Sequence, residues 1–133
     1  MGISAYRKTI RESEAPRQLE RRILARLTGD LERFEADFDD SETDEDRIAI
    51  LAAGLREALI ENLRFWTIIK HDLASEGNAL PVQLRGNLIS LAIFVDRQTG
   101  AALGGRGTLG AIIDVNRSIL AGLAGVKAEP VEA

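Results

Sequence analysis

The chain has 133 residues, 45% hydrophobic and 29% charged, with a formal net charge of −4, no Cys and one His. That length suits one domain with a real core. The missing Cys excludes disulfides, thiolate metal sites and Cys nucleophiles, and the lone His excludes paired-His metal motifs.

The opening MGISAYRKTIRESEAP has no apolar stretch of the kind a signal peptide needs. Tyr6 stands where myristoylation requires Ser or Thr. No apolar run approaches the ~20 residues that cross a bilayer, so no membrane span and a cytoplasmic location are expected. Charge is unevenly spread. Residues 1–29 hold seven basic and three acidic side chains, whereas residues 30–46, DLERFEADFDDSETDED, hold ten acids and one Arg. A uniformly basic nucleic-acid surface is therefore not the design.

Helical spacing occurs four times and strand alternation is nowhere sustained. The first helix is expected from about Pro16, with Ser13 or Glu14 near its cap. Its apolar stripe is Leu19, Ile23, Leu27, Leu31, Phe34 and Phe38. Residues 37–46 follow as a solvated, mobile acidic linker. The second helix is capped by Thr43 or Ser41, and Asp44, Glu45 and Asp46 suit its positive end. Ile48, Leu51, Leu55, Leu59, Leu63, Trp66, Ile69 and Leu73 form its stripe, which spans about 45 Å. Lys70 and His71 lie near its end, solvated, and Gly77 is expected as a left-handed stop. Trp66 is a core anchor on this pattern.

The third helix opens at Pro81, with Asn78 capping the entry, and runs to about Leu103. It carries two stripes. Leu84, Leu88, Leu91, Ala92 and Val95 form one; Val82, Gly86, Ile89, Ile93 and Gly100 form another, nearly opposite and bordered by Arg85, Asp96 and Arg97. A helix apolar on two sides is either central in the bundle or offers one side to a partner. Ile50 and Ile68 likewise fall off the main stripe of the second helix. The fourth helix follows Thr108, carries Leu109, Ile112, Ile113, Ile119, Leu120 and Leu123, and ends at Gly125. Asn116 interrupts that stripe and needs hydrogen-bond partners, expected in the turn Glu76 to Leu80. The reading is an all-α single-domain bundle of about four helices, one of them long, over residues 1–125, with a flexible tail over 126–133.

Motifs that would carry chemistry do not hold up. GRGTLG, residues 105–110, matches GxGxxG, but a long helical pattern precedes it where a dinucleotide site needs a strand. A calcium loop begun at Asp37 meets Glu42 and Ile48 where it needs Gly and a bidentate Glu. A di-metal bundle site needs a second His. No catalytic, cofactor-binding or metal-binding residue is expected, and the chain reads as a non-enzyme. Arg17, Arg21, Arg22 and Arg26 make the first helix basic, which supports an alternative reading as an RNA-binding regulator; no aromatic residue interleaves with them.

Three segments resemble the FlaF family of flagellar biosynthesis regulators of alphaproteobacteria. They are SAYRKTIRESEAPRQLE, LRFWTIIKHDLASEGNALPVQLRGNLISLAIFVDRQT and IDVNRSILAGL, about half the chain in the family's order and spacing. The block from Trp66 through NALP to LISLAIFVDRQT is the most specific. The resemblance implies a cytoplasmic partner of flagellin acting in its production and export, alongside the companion regulator FlbT. It brings no catalytic residues. The expected partner surface is Val82, Ile89 and Ile93 with Arg85 and Arg97, and then Ile50 and Ile68. The oligomeric state is not set by these patterns.

Overall fold

A computed structural model describes residues 2–128, with side chains for residues 18–122. Helix α1 runs Gly2–Asp39, α2 Asp44–Ile50 and α3 Arg56–Ala74, joined by a π-helical turn at Leu51–Leu55; α4 is Val82–Leu103 and α5 is Leu109–Ala128. Through the π turn, which is kinked at Gly54 where the backbone leaves helical geometry (φ 138°, ψ −17°), α2 and α3 run on as one 31-residue rod, so four helices pack as an all-α single domain.

Pro16 does not open α1, which starts well before it. Ala5, Arg7, Lys8, Glu12, Glu14 and Ala15 are strong helix formers, so the helix tolerates the one backbone donor that Pro16 lacks. The buried stripe of α1 is Leu24, Leu27, Leu31 and Phe38, with Ile23 and Phe34 half-buried. Leu19, expected in the core, is 53% exposed. Leu24, fully buried, fills the core at that end of the stripe instead.

The second rod begins as expected at Thr43, whose Oγ1 accepts from the Asp46 N–H at 3.1 Å. The π turn then changes its phase. A π turn takes up one residue more than an α turn, and each residue rotates the helix by about 100°. Upstream side chains are shifted accordingly. Ile48 swings out to 58% exposure, while Ile50 packs against the core instead of facing a partner. Beyond the turn Leu55, Leu59, Trp66 and Leu73 are buried as the pattern predicts. Gly54 enables the turn. Its φ is 138°, and a Cβ there would lie 3.2 Å from Phe34 Cζ. Gly54→Ala is expected to destabilise the fold by about 1–3 kcal/mol through backbone strain. Urea unfolding checks this, and unchanged stability would mean the turn does not depend on glycine.

Helix α3 ends before Gly77, which is not left-handed; among the described residues only Gly54, Gly105 and Gly107 have positive φ. Ser75 is already extended at ψ 151°, and its N–H and Oγ both donate to the Asp72 carbonyl, at 3.1 and 2.8 Å. Asn78 does not cap α4 itself: its Oδ1 accepts from the Leu80 N–H at 3.0 Å, shaping the turn into Pro81. Helix α5 continues through Gly125 to Ala128, so the last helix outlasts its expected stop. One glycine lowers helix propensity without ending a helix. Residues 129–133 of the expected tail lie outside the described residues, as does the Leu123 side chain.

Around the bundle, α1 packs on α5 and α3, while α4 packs on α3 and α5. Arg117 of α5 donates to Glu32 of α1 at 2.6 Å, and that carboxylate raises the guanidinium pKa above its ordinary value. Arg26 reaches Glu61 of α3 at 3.4 Å.

One end of the bundle is tied by side chains from the acid-rich stretch. Asp39 caps α5, its Oδ1 accepting from the Leu109 N–H at 2.7 Å and its Oδ2 from the Gly110 N–H at 3.0 Å. It is therefore a structural residue and not part of a mobile linker. A carboxylate placed there satisfies free donors at the positive helix end. Arg47 donates through Nε to the Phe38 carbonyl at 3.0 Å, and through Nη1 to the Gly105 and Gly107 carbonyls at 3.2 and 2.9 Å. Its guanidinium stacks 4.2 Å from the centre of the Phe38 ring. GRGTLG is thus a fixed joint between two helices, its carbonyls held by an Arg from a third.

The core also contains a polar ladder. Trp66 Nε1 donates to Asn116 Oδ1 at 2.9 Å, and Asn116 Nδ2 donates to Asn62 Oδ1 at 2.8 Å. Asn116 therefore binds side chains of α3 and not the turn after it. It lies mid-bundle, level with Trp66, where the turn is out of reach.

Candidate partner-binding surface

The polar side chains inside the bundle are committed to holding it together. His71 is exposed near the end of α3. An open groove of about 400 Å³ is lined by Glu32, Glu35, Ala36, Asp39 and Asp40, but Glu32 already holds Arg117 and Asp39 caps α5. This groove brings no nucleophile, base and oxyanion donor together.

The outer side of α4 is different. Ala92, Val95, Thr99 and Ala102 are buried and set its core face. The opposite stripe is left open: Val82 is 76% exposed, Ile93 39%, Ile89 half-buried, and Gly86 and Gly100 lie bare. Helix α4 is therefore not enclosed on all sides. Leu84, expected in the core, is 43% exposed, because the core face narrows toward the start of the helix. Phe94, also 39% exposed, widens the apolar surface and belongs to neither predicted stripe; only its position beside Ile93 in the sequence hinted at it.

Charge borders this strip. Arg97 is exposed, and Arg85 is half-buried with its Nε shielded from water and no acceptor within reach. The two residues expected from the second rod do not join it. Ile50 faces the core because of the π turn. Ile68 is 62% exposed, but it lies about two turns beyond Glu61 on the same face, and Glu61 reaches Arg26 of α1. Ile68 therefore stands apart from the α4 strip, as does Leu19 of α1, 53% exposed. Of the expected partner residues, Val82, Ile89 and Ile93 thus share a strip on α4, and of the next candidates only Ile68 is left exposed, on a different helix.

Of the four Arg residues considered for RNA, Arg26 is already shared between Asp30 at 3.1 Å and Glu61 at 3.4 Å. Arg21 and Arg22 are exposed, and the side chain of Arg17 lies outside the described residues. No helix among the described residues is long and apolar enough to cross a membrane.

The family model described as flagellar protein FlaF matches residues 2–123. No curated protein and no solved structure matches the chain.

Proposed function

We propose, since the chain belongs to the FlaF family of flagellar proteins, that it is a non-enzymatic, flagellin-binding chaperone or regulator of flagellum biogenesis, working in the cytoplasm. The exposed apolar strip of α4 is the observation that supports this reading. A helical end of flagellin, apolar on one face, would lie along Val82, Ile89 and Ile93 by helix-on-helix packing. Arg85 and Arg97 border that strip as rim charges. Export requires release, so the contact is modest in strength and rests on a few anchors.

Co-purification with flagellin, followed by titration at low and high salt, tests the reading. Apolar docking is little affected by salt, whereas an RNA complex through several phosphates weakens steeply. The involvement of Arg26 with two carboxylates speaks against the RNA alternative. Ile93→Asp is expected to weaken flagellin binding by at least about tenfold, or about 1.4 kcal/mol. Ile93 already meets water, so the variant keeps its melting temperature. A folded Ile93→Asp chain that binds flagellin at full strength would move the docking surface elsewhere, with Leu19 and Ile68 next in line.

A further inference from the structure

Among the described residues, no helix packs on the side of α1 that looks away from the bundle. Leu24, Leu27, Leu31 and Phe38 point inward, Glu32 faces α5 and Arg26 faces α3. Opposite the core runs a row made of Arg22, Ala25, Gly29, Arg33, Ala36 and Asp40, all exposed except the half-exposed Gly29. Asp40 is the first residue after α1, and its N–H still bonds the Ala36 carbonyl at 3.0 Å in helical fashion; 18 residues from Arg22, about five turns of 3.6 residues, it follows on the same face about 27 Å away.

Read in the opposite direction, this row complements itself. Its ends are an Arg and an Asp, its next members are both Ala, and in the middle an Arg faces a Gly. Arg22 and Asp40 form no ion pair among the described residues. A mid-helix glycine weakens a helix relative to alanine. Within the protomer nothing lies within 4 Å of where a Gly29 Cβ would sit, so its bareness serves no internal contact. The charge imbalance along the chain has the same sense, with bases in excess over residues 1–29 and acids over 30–46.

We propose that a second copy of this chain docks antiparallel on this face. Arg22 of each protomer meets Asp40 of the other, Ala25 meets Ala36, and Arg33 lies over Gly29. Antiparallel pairing is the isologous, two-fold arrangement, in which each contact occurs twice. A parallel pairing sets like charges side by side. The face belongs to α1 and leaves the α4 strip free, so the pairing does not depend on the flagellin reading.

Sedimentation of the full chain over a wide concentration range tests it, at low and at high salt. The dimer forms at low salt and weakens as salt screens the exposed charges. R22E and D40R each set like charges against one another and should weaken self-association by at least about tenfold. Mixed together, those two chains should associate again, because both contacts of the mixed dimer then join opposite charges. A Gly29 Cβ meets nothing within 4 Å in the protomer and projects away from the core, so Gly29→Leu should keep the wild-type melting temperature and fail to dimerise. A wild-type chain that stays monomeric throughout would overturn the proposal. So would single reversals that leave the dimer intact, or a mixture of the two that remains monomeric.

Discussion

Trp66→Ala is expected to lower the free energy of unfolding by about 3–5 kcal/mol, the range for truncating a large buried aromatic. Trp66 is 2% exposed and stands in the middle of the core cluster. Its loss also removes the donor to Asn116, which is fully buried. A buried polar atom deprived of its partner costs about 1–3 kcal/mol. The ladder is already short of one bond, because Asn62 Nδ2 has no acceptor. Trp66→Phe separates the two contributions: it keeps most of the apolar bulk and loses the N–H, so the expected cost is about 1–3 kcal/mol. Urea unfolding followed by far-ultraviolet circular dichroism measures both. A Trp66→Ala chain less than about 1 kcal/mol below wild type would contradict the core placement.

Arg47→Met is expected to cost about 2–4 kcal/mol, from hydrogen bonds of a charged group that are worth about 1.5–3 kcal/mol each and are not additive. Three carbonyls on two separate segments lose their donor together. The methionine still covers part of the Phe38 ring, so the loss reports mainly on the bonds. Arg47→Lys should recover only part of the stability, because a single ammonium lacks the planar fork that reaches Phe38 and the glycine loop at once. Equal stability of the Lys and wild-type chains would assign Arg47 a purely electrostatic role. Hydrogen exchange gives a second check: the first amides of α5 should lose protection in Arg47→Met before those in the middle of α3.

Much of the fold was legible because helical periodicity is a dense signal. Leu27, Leu31, Leu55, Leu59, Trp66, Val95, Ile112 and Ile113 are all buried where their spacing puts them. The misses on the second rod have one cause. Periodicity assumes an unbroken α-helix, and the π turn at Leu51–Leu55 inserts a phase slip that LAAGL does not announce. Ile48 and Ile50 exchange roles across that slip. Asp39 and Arg47 were hidden for another reason: their partners lie 70 and 60 residues away in Leu109 and Gly107, and composition alone marks Asp39 as a member of a solvated acidic run and Arg47 as the base that follows it. The partner strip was half legible. Spacing revealed two stripes on the third predicted helix. Which of them meets the core depends on neighbours, and Phe94 and Leu84 escape a pattern that sorts residues only by angle. Pro16 shows the limit of reading a boundary from one residue when the flanking sequence favours helix on both sides.

The cap that Asp39 places on α5 joins residues 70 positions apart, and α1 finds one of its principal neighbours in the last helix. During synthesis at about 5–20 residues per second, those 70 positions take about 4–14 s to emerge. Through that interval Leu24, Leu27 and Leu31 lack the surface that finally covers them on the α5 side. The hairpin of α3 and α4, built from near neighbours in the chain, is free to form first. Closure of the domain therefore waits for its C-terminal helix, and a chain cut short ahead of Leu109 should be taken up by chaperones or degraded rather than persist as a smaller bundle.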